Sequence, residues 1–224
     1  MATTSQSETS SSATSTTHDG VSGEVIVFGG TFDPVHNGHL AIAEQVLDLT
    51  GAGAVWFVPS HIPSLHGVPV ASPEDRADML RAALVRHHGF VLRLDELNRE
   101  GVSYTVDTMH DFHRTSPHTE FRVLLGADAA RSIRRWNRVD DLLAAEDFVI
   151  VNRTGAEPLR AEDAERLGFD LGRCELLRVD SPALAATDVR RRAAAGQSLD
   201  GLVPPPVATL IHVRGLYGVR PADA

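Results

Sequence analysis

Short apolar runs alternate with helical patterns along the chain from Gly23 onward. Runs of this kind, rich in β-branched and aromatic side chains, are typical of buried strands. They predict six strands, at residues 24–28, 54–58, 90–94, 120–125, 148–151 and 175–179.

The segments between these strands carry apolar residues at helical spacing. In residues 39–49 the apolar positions are Leu40, Ile42, Ala43, Val46, Leu47 and Leu49, and Gly51 ends the predicted helix. A second helix is predicted to begin with Ser72 as N-cap, Pro73 at its first position and Asp75 in its first turn. Its buried stripe is Ala77, Leu80 and Leu84.

Strands that alternate with helices imply parallel pairing through right-handed crossovers. We therefore predict an α/β fold: a doubly wound, mostly parallel, Rossmann-like sheet with helices on both faces. Ligands bind such sheets at the carboxyl ends of the strands.

The two ends of the chain differ from the middle. Residues 2–17 contain twelve Ser or Thr and no apolar side chain larger than Ala, so they cannot bury enough surface to offset their ordering entropy. We expect a disordered tail over residues 1–22, a single domain over 23–220 and a short tail over 221–224.

Charge and composition exclude several classes of protein. All 21 basic residues are arginine, which excludes Walker-A phosphate loops and Schiff-base enzymes, because both need lysine. A net charge of −9 argues against a general nucleic-acid binder. The lone Cys174, the short apolar runs and the lack of an apolar N-terminal segment indicate a cytoplasmic protein without a membrane partner.

The loop between the first strand and the first helix reads Gly-Gly-Thr-Phe-Asp-Pro-Val-His-Asn-Gly-His-Leu over residues 29–40. Gly29 and Gly30 allow a sharp turn and close approach of a ligand. The N–H groups at the helix start favour an anion, and His36 and His39 share a face about 5–6 Å apart if both are helical. No third and fourth ligands stand at usable spacing, so no protein-held metal is predicted.

This string resembles the N-terminal signature of the nucleotidyltransferase α/β superfamily, in the form found in bacterial nicotinate-nucleotide adenylyltransferases. The resemblance runs from about Glu24 to Tyr217. It implies catalytic roles for His36 and His39 on the α-phosphate of ATP. It also implies an ATP site that includes Gly29, Gly30, Thr31, Phe32 and Gly38.

A later motif, Ser103-Tyr-Thr-Val-Asp-Thr108, follows the third predicted strand and opens a helix. By itself it predicts Ser103 or Thr105 as a helix cap. The resemblance implies instead that its backbone N–H groups meet the nicotinate carboxylate. The implied mononucleotide site contains Ser103, Tyr104, Thr105, Asp107 and Thr108.

Trp136 lies among three arginines and an asparagine, a polar setting unlike a core stripe. A flat aromatic side chain gains from stacking and cation–π attraction with a pyridinium ring. The resemblance implies that Trp136 stacks on the nicotinate ring, and that Gly126 and Asp128, at the end of the fourth strand, lie against the nucleotide ribose.

Near the C-terminus, Thr187 is predicted to be an N-cap, and the resemblance implies that Thr187 and Arg190 hold the triphosphate. Ala185 stands where the family has a serine. After the second strand, His66 matches a family histidine, but Gly67 replaces the basic residue that meets the mononucleotide phosphate. The missing charge then has to come from Arg134, Arg135 or Arg153, and we assign Arg153 to the mononucleotide site.

The implied reaction joins nicotinate mononucleotide and ATP into deamido-NAD and pyrophosphate. The attacking phosphate is already anionic, so alignment and charge neutralisation suffice, and Mg²⁺ arrives with ATP instead of in a protein cage. Two alternatives remain. One is a related enzyme with nicotinamide mononucleotide, phosphopantetheine or FMN as acceptor, and the other is a non-catalytic nucleotide-binding module. A homo-oligomer is compatible with the sequence.

Overall fold

The computed structural model describes residues 23–65, 67–99 and 101–219. The predicted tails at 1–22 and 221–224, and the candidate site residue His66, lie outside the described residues.

A six-stranded parallel sheet forms the centre of the fold. In chain order the strands are β1 (Val25–Gly30), β2 (Ala54–Pro59), β3 (Ile62–Pro63), β4 (Phe90–Leu92), β5 (Val102–Ser103), β6 (Phe121–Gly126), β7 (Asp147–Arg153) and β8 (Cys174–Val179). The sheet has the order β4-β2-β1-β6-β7-β8, and β3 and β5 form a separate parallel pair. All six predicted strands are confirmed, with ends shifted by at most two residues. The order reverses between β1 and β6, where such sheets bind ligands.

Helices cover both faces of this sheet. They are α1 (Asn37–Thr50), α2 (Pro73–Leu84), α3 (Thr105–Thr115), α4 (Ala127–Arg131), α5 (Val139–Ala145), α6 (Ala161–Leu167), α7 (Ala186–Ala194) and α8 (Pro205–Val213), with 3₁₀ turns at Ile133–Arg135 and Leu216–Gly218. One core cluster packs α1, α2, α7 and α8 on the face that Ile26 points to. The other packs α3, α4, α5 and α6 on the face of Val25 and Val27. The predicted doubly wound fold is therefore confirmed.

The sequence signals at helix ends predicted the start of α2 and the end of α1 correctly. The backbone N–H of Asp75 donates to Ser72 Oγ at 3.0 Å, as the predicted cap requires, and Ala77, Leu80 and Leu84 are buried. Gly51 ends α1 in the left-handed region at φ 71°, a conformation that glycine adopts without a Cβ penalty. The prediction that Leu49 packs beside the buried stripe is wrong. Leu49 is 54% exposed, and no residue in the last turn of α1 is fully buried.

A buried arginine braces the loops at the carboxyl ends of β1 and β2. Arg76 on α2 is fully buried, and its guanidinium donates to the carbonyls of Thr31 at 2.9 Å, Ser60 at 2.6 Å and His61 at 3.2 Å. A buried charge persists only when hydrogen bonds satisfy it. These bonds fix the strand ends that line the candidate site.

Candidate active site

A cavity of about 550 Å³ opens at the carboxyl ends of β1, β2 and β6. The predicted site residues along its wall are Gly29, Gly30, Thr31, Ser103, Tyr104, Thr105, Thr108, Gly126, Asp128 and Trp136. We call it the large cavity. Its volume is in the range of small-molecule sites.

A second cavity of about 190 Å³ lies next to it, and we call it the small cavity. The predicted site residues on its wall are His36, Gly38, His39, Gly126, Asp128 and Arg153. Because Phe28, Gly126 and Asp128 line both cavities, the two adjoin. Two ligands bound there would meet at this shared wall.

The two histidines stack at the N-terminus of α1. Their ring centroids are 3.7 Å apart with an angle of 18° between the planes. His36 is the N-cap and has an extended backbone, so only His39 of the pair lies within the helix. Gly38 lets the backbone approach the His36 ring closely: a Cβ there would lie 3.1 Å from His36 Nδ1 and 3.3 Å from the carbonyl oxygen of Pro182, so either group would have to shift.

A backbone hydrogen bond sets the tautomer of His39. The N–H of His36 donates to His39 Nδ1 at 3.2 Å, so the proton of the neutral His39 ring sits on Nε2. Burial, and after it the positive charge of Arg153, lowers the pKa of His36 to about 4. Burial, followed by the neighbouring His36, holds the pKa of His39 well below its ordinary value. At neutral pH both rings are uncharged, and His39 presents an Nε2–H donor.

The buried imidazoles should destabilise the fold in acid. The folded-state pKa of His36, about 4, lies below the ordinary value of 6.5, so the unfolded chain takes up the proton first as pH falls. The stability contributed by His36 is full above about pH 6.5 and decreases towards pH 4, by about 3 kcal/mol.

Chemical denaturation from about pH 8 to about pH 4 tests this for wild type and His36→Asn, since asparagine is also an efficient N-cap. We expect the wild type to lose more stability than the variant over this range. Exposed His118 is the control, and His118→Asn should follow the wild type. If the free energy of unfolding depended on pH in the same way for wild type and His36→Asn, this would contradict a neutral, buried His36.

Three arginines were candidates for the charge missing at Gly67, and the structure places them differently. Arg153, at the end of β7, lines the small cavity beside the histidines and donates to Asp128 Oδ2 at 3.3 Å. It does not line the large cavity among the described residues, although Arg135 does. Arg134 lies on neither wall and binds Asp140 Oδ1 at 2.6 Å.

The start of α3 differs from the simple capping hypothesis. Its N-cap is Tyr104, which makes no side-chain cap, so the prediction of Ser103 or Thr105 as cap is wrong. The Ser103 hydroxyl is directed elsewhere, where it accepts from the backbone N–H of His61 at 3.0 Å. The N–H groups of Asp107 and Thr108 donate to the carbonyl of Tyr104 at 3.1 and 3.2 Å, so among the described residues those of Thr105 and Val106 are the ones left without a partner. Asp107 is ion-paired with Arg138 and does not line the large cavity.

Trp136 follows the 3₁₀ turn and is half-buried on the wall of the large cavity, between Arg135 and Asn137. Part of the ring packs against the core of the α3 face. The remaining surface is available to a ligand in the cavity.

Arg190, on α7 with Thr187, contacts the loop of residues 29–40, which we call the histidine loop. The N-cap of α7 is Ala185, so Thr187 is the second helical residue, and its prediction as a cap is wrong: extended backbone ends at Ala185, before Thr187. Arg190 Nη1 donates to the carbonyl of Asp33 at 2.6 Å. Neither residue lines the two cavities.

The structure gives three residues positions that the sequence motifs did not predict: Phe32, Asp33 and Glu96. Buried Asp33 accepts from the Tyr217 hydroxyl at 2.8 Å and from the N–H groups of Val70 and Ala71, so it ties the loop to distant segments. Phe32 is buried against Phe28 and His39 and contributes no surface to either cavity. Glu96, missed by sequence reasoning because no motif contains it, is buried on the wall of the large cavity.

In the part of the chain that the structure describes, no group of three or more His, Cys, Asp or Glu side chains is placed to hold a metal ion. Among the described helices, none combines the length and apolarity needed to cross a membrane.

Residues 27–192 match the model of the cytidylyltransferase-like family. Among curated relatives, a protein of Symbiobacterium thermophilum is 42% identical over 199 residues, covering 86% of this chain and 94% of the relative. One of Mycobacterium avium is 39% identical over 198 residues, covering 88% and 93%. Both are named probable nicotinate-nucleotide adenylyltransferase.

The fold also matches a solved structure, described as the Plasmodium falciparum nicotinic acid mononucleotide adenylyltransferase complexed with NaAD. The TM-score is 0.72 over 89% of this chain and 99% of that one, at 16% identity, so this likeness supports the fold alone. The extent and identity of the sequence matches decide the family. The chain belongs to the cytidylyltransferase-like family and, within it, to the nicotinate-nucleotide adenylyltransferases.

Proposed function

We propose that this protein transfers the adenylyl group of ATP to nicotinate mononucleotide, giving deamido-NAD and pyrophosphate. The observation that carries the proposal is the stacked pair of neutral histidines on the small cavity, adjoining a larger cavity with an uncapped helix start. The relatives' names support the same reaction.

The large cavity is proposed to take the mononucleotide. The free N–H groups at the start of α3 suit the nicotinate carboxylate, because a helix N-terminus carries partial positive charge. Trp136 offers a ring face for the cationic pyridinium ring. Ser103, Tyr104, Thr105 and Thr108 border the same space, whereas Asp107 acts through its ion pair with Arg138.

The small cavity is proposed to take phosphates of ATP. His39 Nε2–H donates to an α-phosphate oxygen. Arg153, which the sequence assigned to the mononucleotide, lines this cavity and is proposed to supply a positive charge beside both imidazoles. Gly126 and Asp128, on the shared wall, suit a ribose between the two cavities. Thr187 and Arg190 are proposed to contact the outer phosphates once ATP is bound, and Gly29, Gly30 and Thr31 the nucleotide along β1.

The chain's own residues need not move a proton in this reaction. The mononucleotide phosphate is already an anion and attacks the α-phosphorus directly while pyrophosphate leaves. The side chains align the two phosphates and neutralise charge that builds on oxygen, which are the dominant effects in phosphoryl-type transfer. Mg²⁺ enters as part of the ATP substrate. A cytoplasmic location is part of the proposal, supported by the single cysteine.

Pyrophosphate release with Mg²⁺ and ATP tests the choice of acceptor. We expect release with nicotinate mononucleotide to exceed that with nicotinamide mononucleotide, phosphopantetheine and FMN. Preference for another of the four would keep the chemistry and change the acceptor. If folded protein that binds ATP released no pyrophosphate with any of the four acceptors, a non-catalytic nucleotide-binding module would be favoured. The substitutions at Gly67 and Ala185 would then explain the loss of activity.

A further inference from the structure

Glu96 lies in the segment between β4 and β5 and is only 7% exposed, yet it borders the large cavity. Buried carboxylates need hydrogen-bond donors, because water is absent from their surroundings. The donors that Glu96 has are hydroxyls from the mononucleotide motif.

Thr108 Oγ1 donates to Glu96 Oε1 at 2.7 Å. Burial raises the pKa of Glu96, and the hydroxyls of Thr108 and Ser103 beside its carboxyl group oppose that rise. Both residues are buried, at 2% and 8% exposure. Ser103 precedes and Thr108 follows Tyr104, the N-cap residue of α3, whose side chain makes no capping hydrogen bond. The carboxylate therefore holds both flanks of the turn that exposes the N–H groups.

The direction of these bonds determines what the cavity offers a ligand. Ser103 Oγ already accepts from the N–H of His61, so its single hydrogen is the one available to Glu96. The hydrogen of Thr108 Oγ1 is likewise directed to Glu96. With the Thr108 hydrogen engaged and the N–H groups of Asp107 and Thr108 bonded to Tyr104, the N–H groups of Thr105 and Val106 are the backbone donors that this turn leaves for an anion.

We propose that Glu96 is a positioning residue for the mononucleotide: by binding the hydroxyls of Ser103 and Thr108 it holds the first turn of α3 in place against the large cavity. This inference rests on the proposed function, in which the nicotinate carboxylate meets that turn. Glu96 acts through Ser103 and Thr108 and takes no part in the phosphate chemistry.

The test is the variant Glu96→Gln. Glutamine keeps one acceptor oxygen and places an NH2 donor where the second oxygen stood. A hydroxyl that faces this position loses its acceptor, and the turn loosens. We expect KM for nicotinate mononucleotide to rise about tenfold, the effect of one buried hydrogen bond, with kcat and the KM for ATP changed by less than about threefold. Steady-state kinetics with each substrate varied in turn measures this.

A double-mutant cycle with Thr108→Val separates positioning from general destabilisation. If Glu96 acts through Thr108, the two single variants raise the same KM and their effects do not add. Exposed Glu165 on α6 provides the matched control, and Glu165→Gln should behave as wild type. If Glu96→Gln does not fold, Thr108→Val alone carries the expected rise in KM.

Two results would overturn the inference: an unchanged KM for the mononucleotide in Glu96→Gln or Thr108→Val, or an equal loss for both substrates together with kcat. Failure of the proposed function is distinguishable from failure of the inference about Glu96, because it would be seen in the kinetics of the wild-type protein. A wild type that does not turn over nicotinate mononucleotide contradicts the proposed function and removes the premise about Glu96 with it.

Discussion

The variant His39→Ala is expected to lose about 10²- to 10³-fold in kcat while it still folds and binds ATP, because removal of one preorganised donor at a site of developing negative charge has this effect. His39 Nε2–H is such a donor: its tautomer is fixed by the N–H of His36, and its ring is uncharged at neutral pH. The measurements are kcat from pyrophosphate release, ATP affinity from calorimetry and the melting temperature.

Two further variants make this result specific. His39→Asn keeps a side chain that can accept from the N–H of His36 and donate onward, so it should retain more turnover than His39→Ala. His118→Ala replaces an exposed histidine outside both cavities and should leave kcat unchanged. Wild-type turnover in His39→Ala would remove the assigned role, and loss of folding in both His39 variants would assign His39 to structure alone.

The second large effect is expected from Trp136→Ala, which should raise KM for nicotinate mononucleotide about tenfold or more with kcat changed by less than about threefold. The half-buried ring of Trp136 lines the large cavity, where stacking and desolvated cation–π attraction together contribute about 1–3 kcal/mol. Initial rates with varied mononucleotide at saturating ATP measure the change.

The other tryptophan serves as the matched control for Trp136. Trp56 is fully buried between Phe112 and Phe121, so Trp56→Phe should lower the melting temperature and leave KM unchanged. Trp136→Phe keeps an aromatic face and should show a smaller rise in KM than Trp136→Ala. An unchanged KM in Trp136→Ala would return this side chain to a packing role on the α3 face.

The fold was predictable where its determinants are local. The buried strands β1, β2 and β7 centre on continuous apolar runs. Ser72, Pro73 and Gly51 carry the signals that begin α2 and end α1. The histidine loop was equally readable, since its glycines and histidines stand within a dozen residues of each other.

The parts that could not be predicted depend on side-chain contacts between different elements of the fold. Asp33 is held by Tyr217, and Glu96 by Thr108, contacts that only the folded sheet creates. The same cause explains the wrong cap at α3, because the Ser103 hydroxyl accepts from the N–H of His61 instead of from its own helix. Threonine is a residue type that is common at the N-cap, which is why Thr187 was predicted there. The N-cap of α7 is Ala185, two residues earlier.

The central claim is that this protein moves the adenylyl group of ATP onto the phosphate of nicotinate mononucleotide. The most direct measurement uses ATP labelled at its α-phosphorus, together with Mg²⁺ and nicotinate mononucleotide, and follows the label by chromatography. We expect the label to move into deamido-NAD, with one unlabelled pyrophosphate released per dinucleotide formed. Label that stays in ATP, or that appears in AMP or ADP without a dinucleotide, would contradict it.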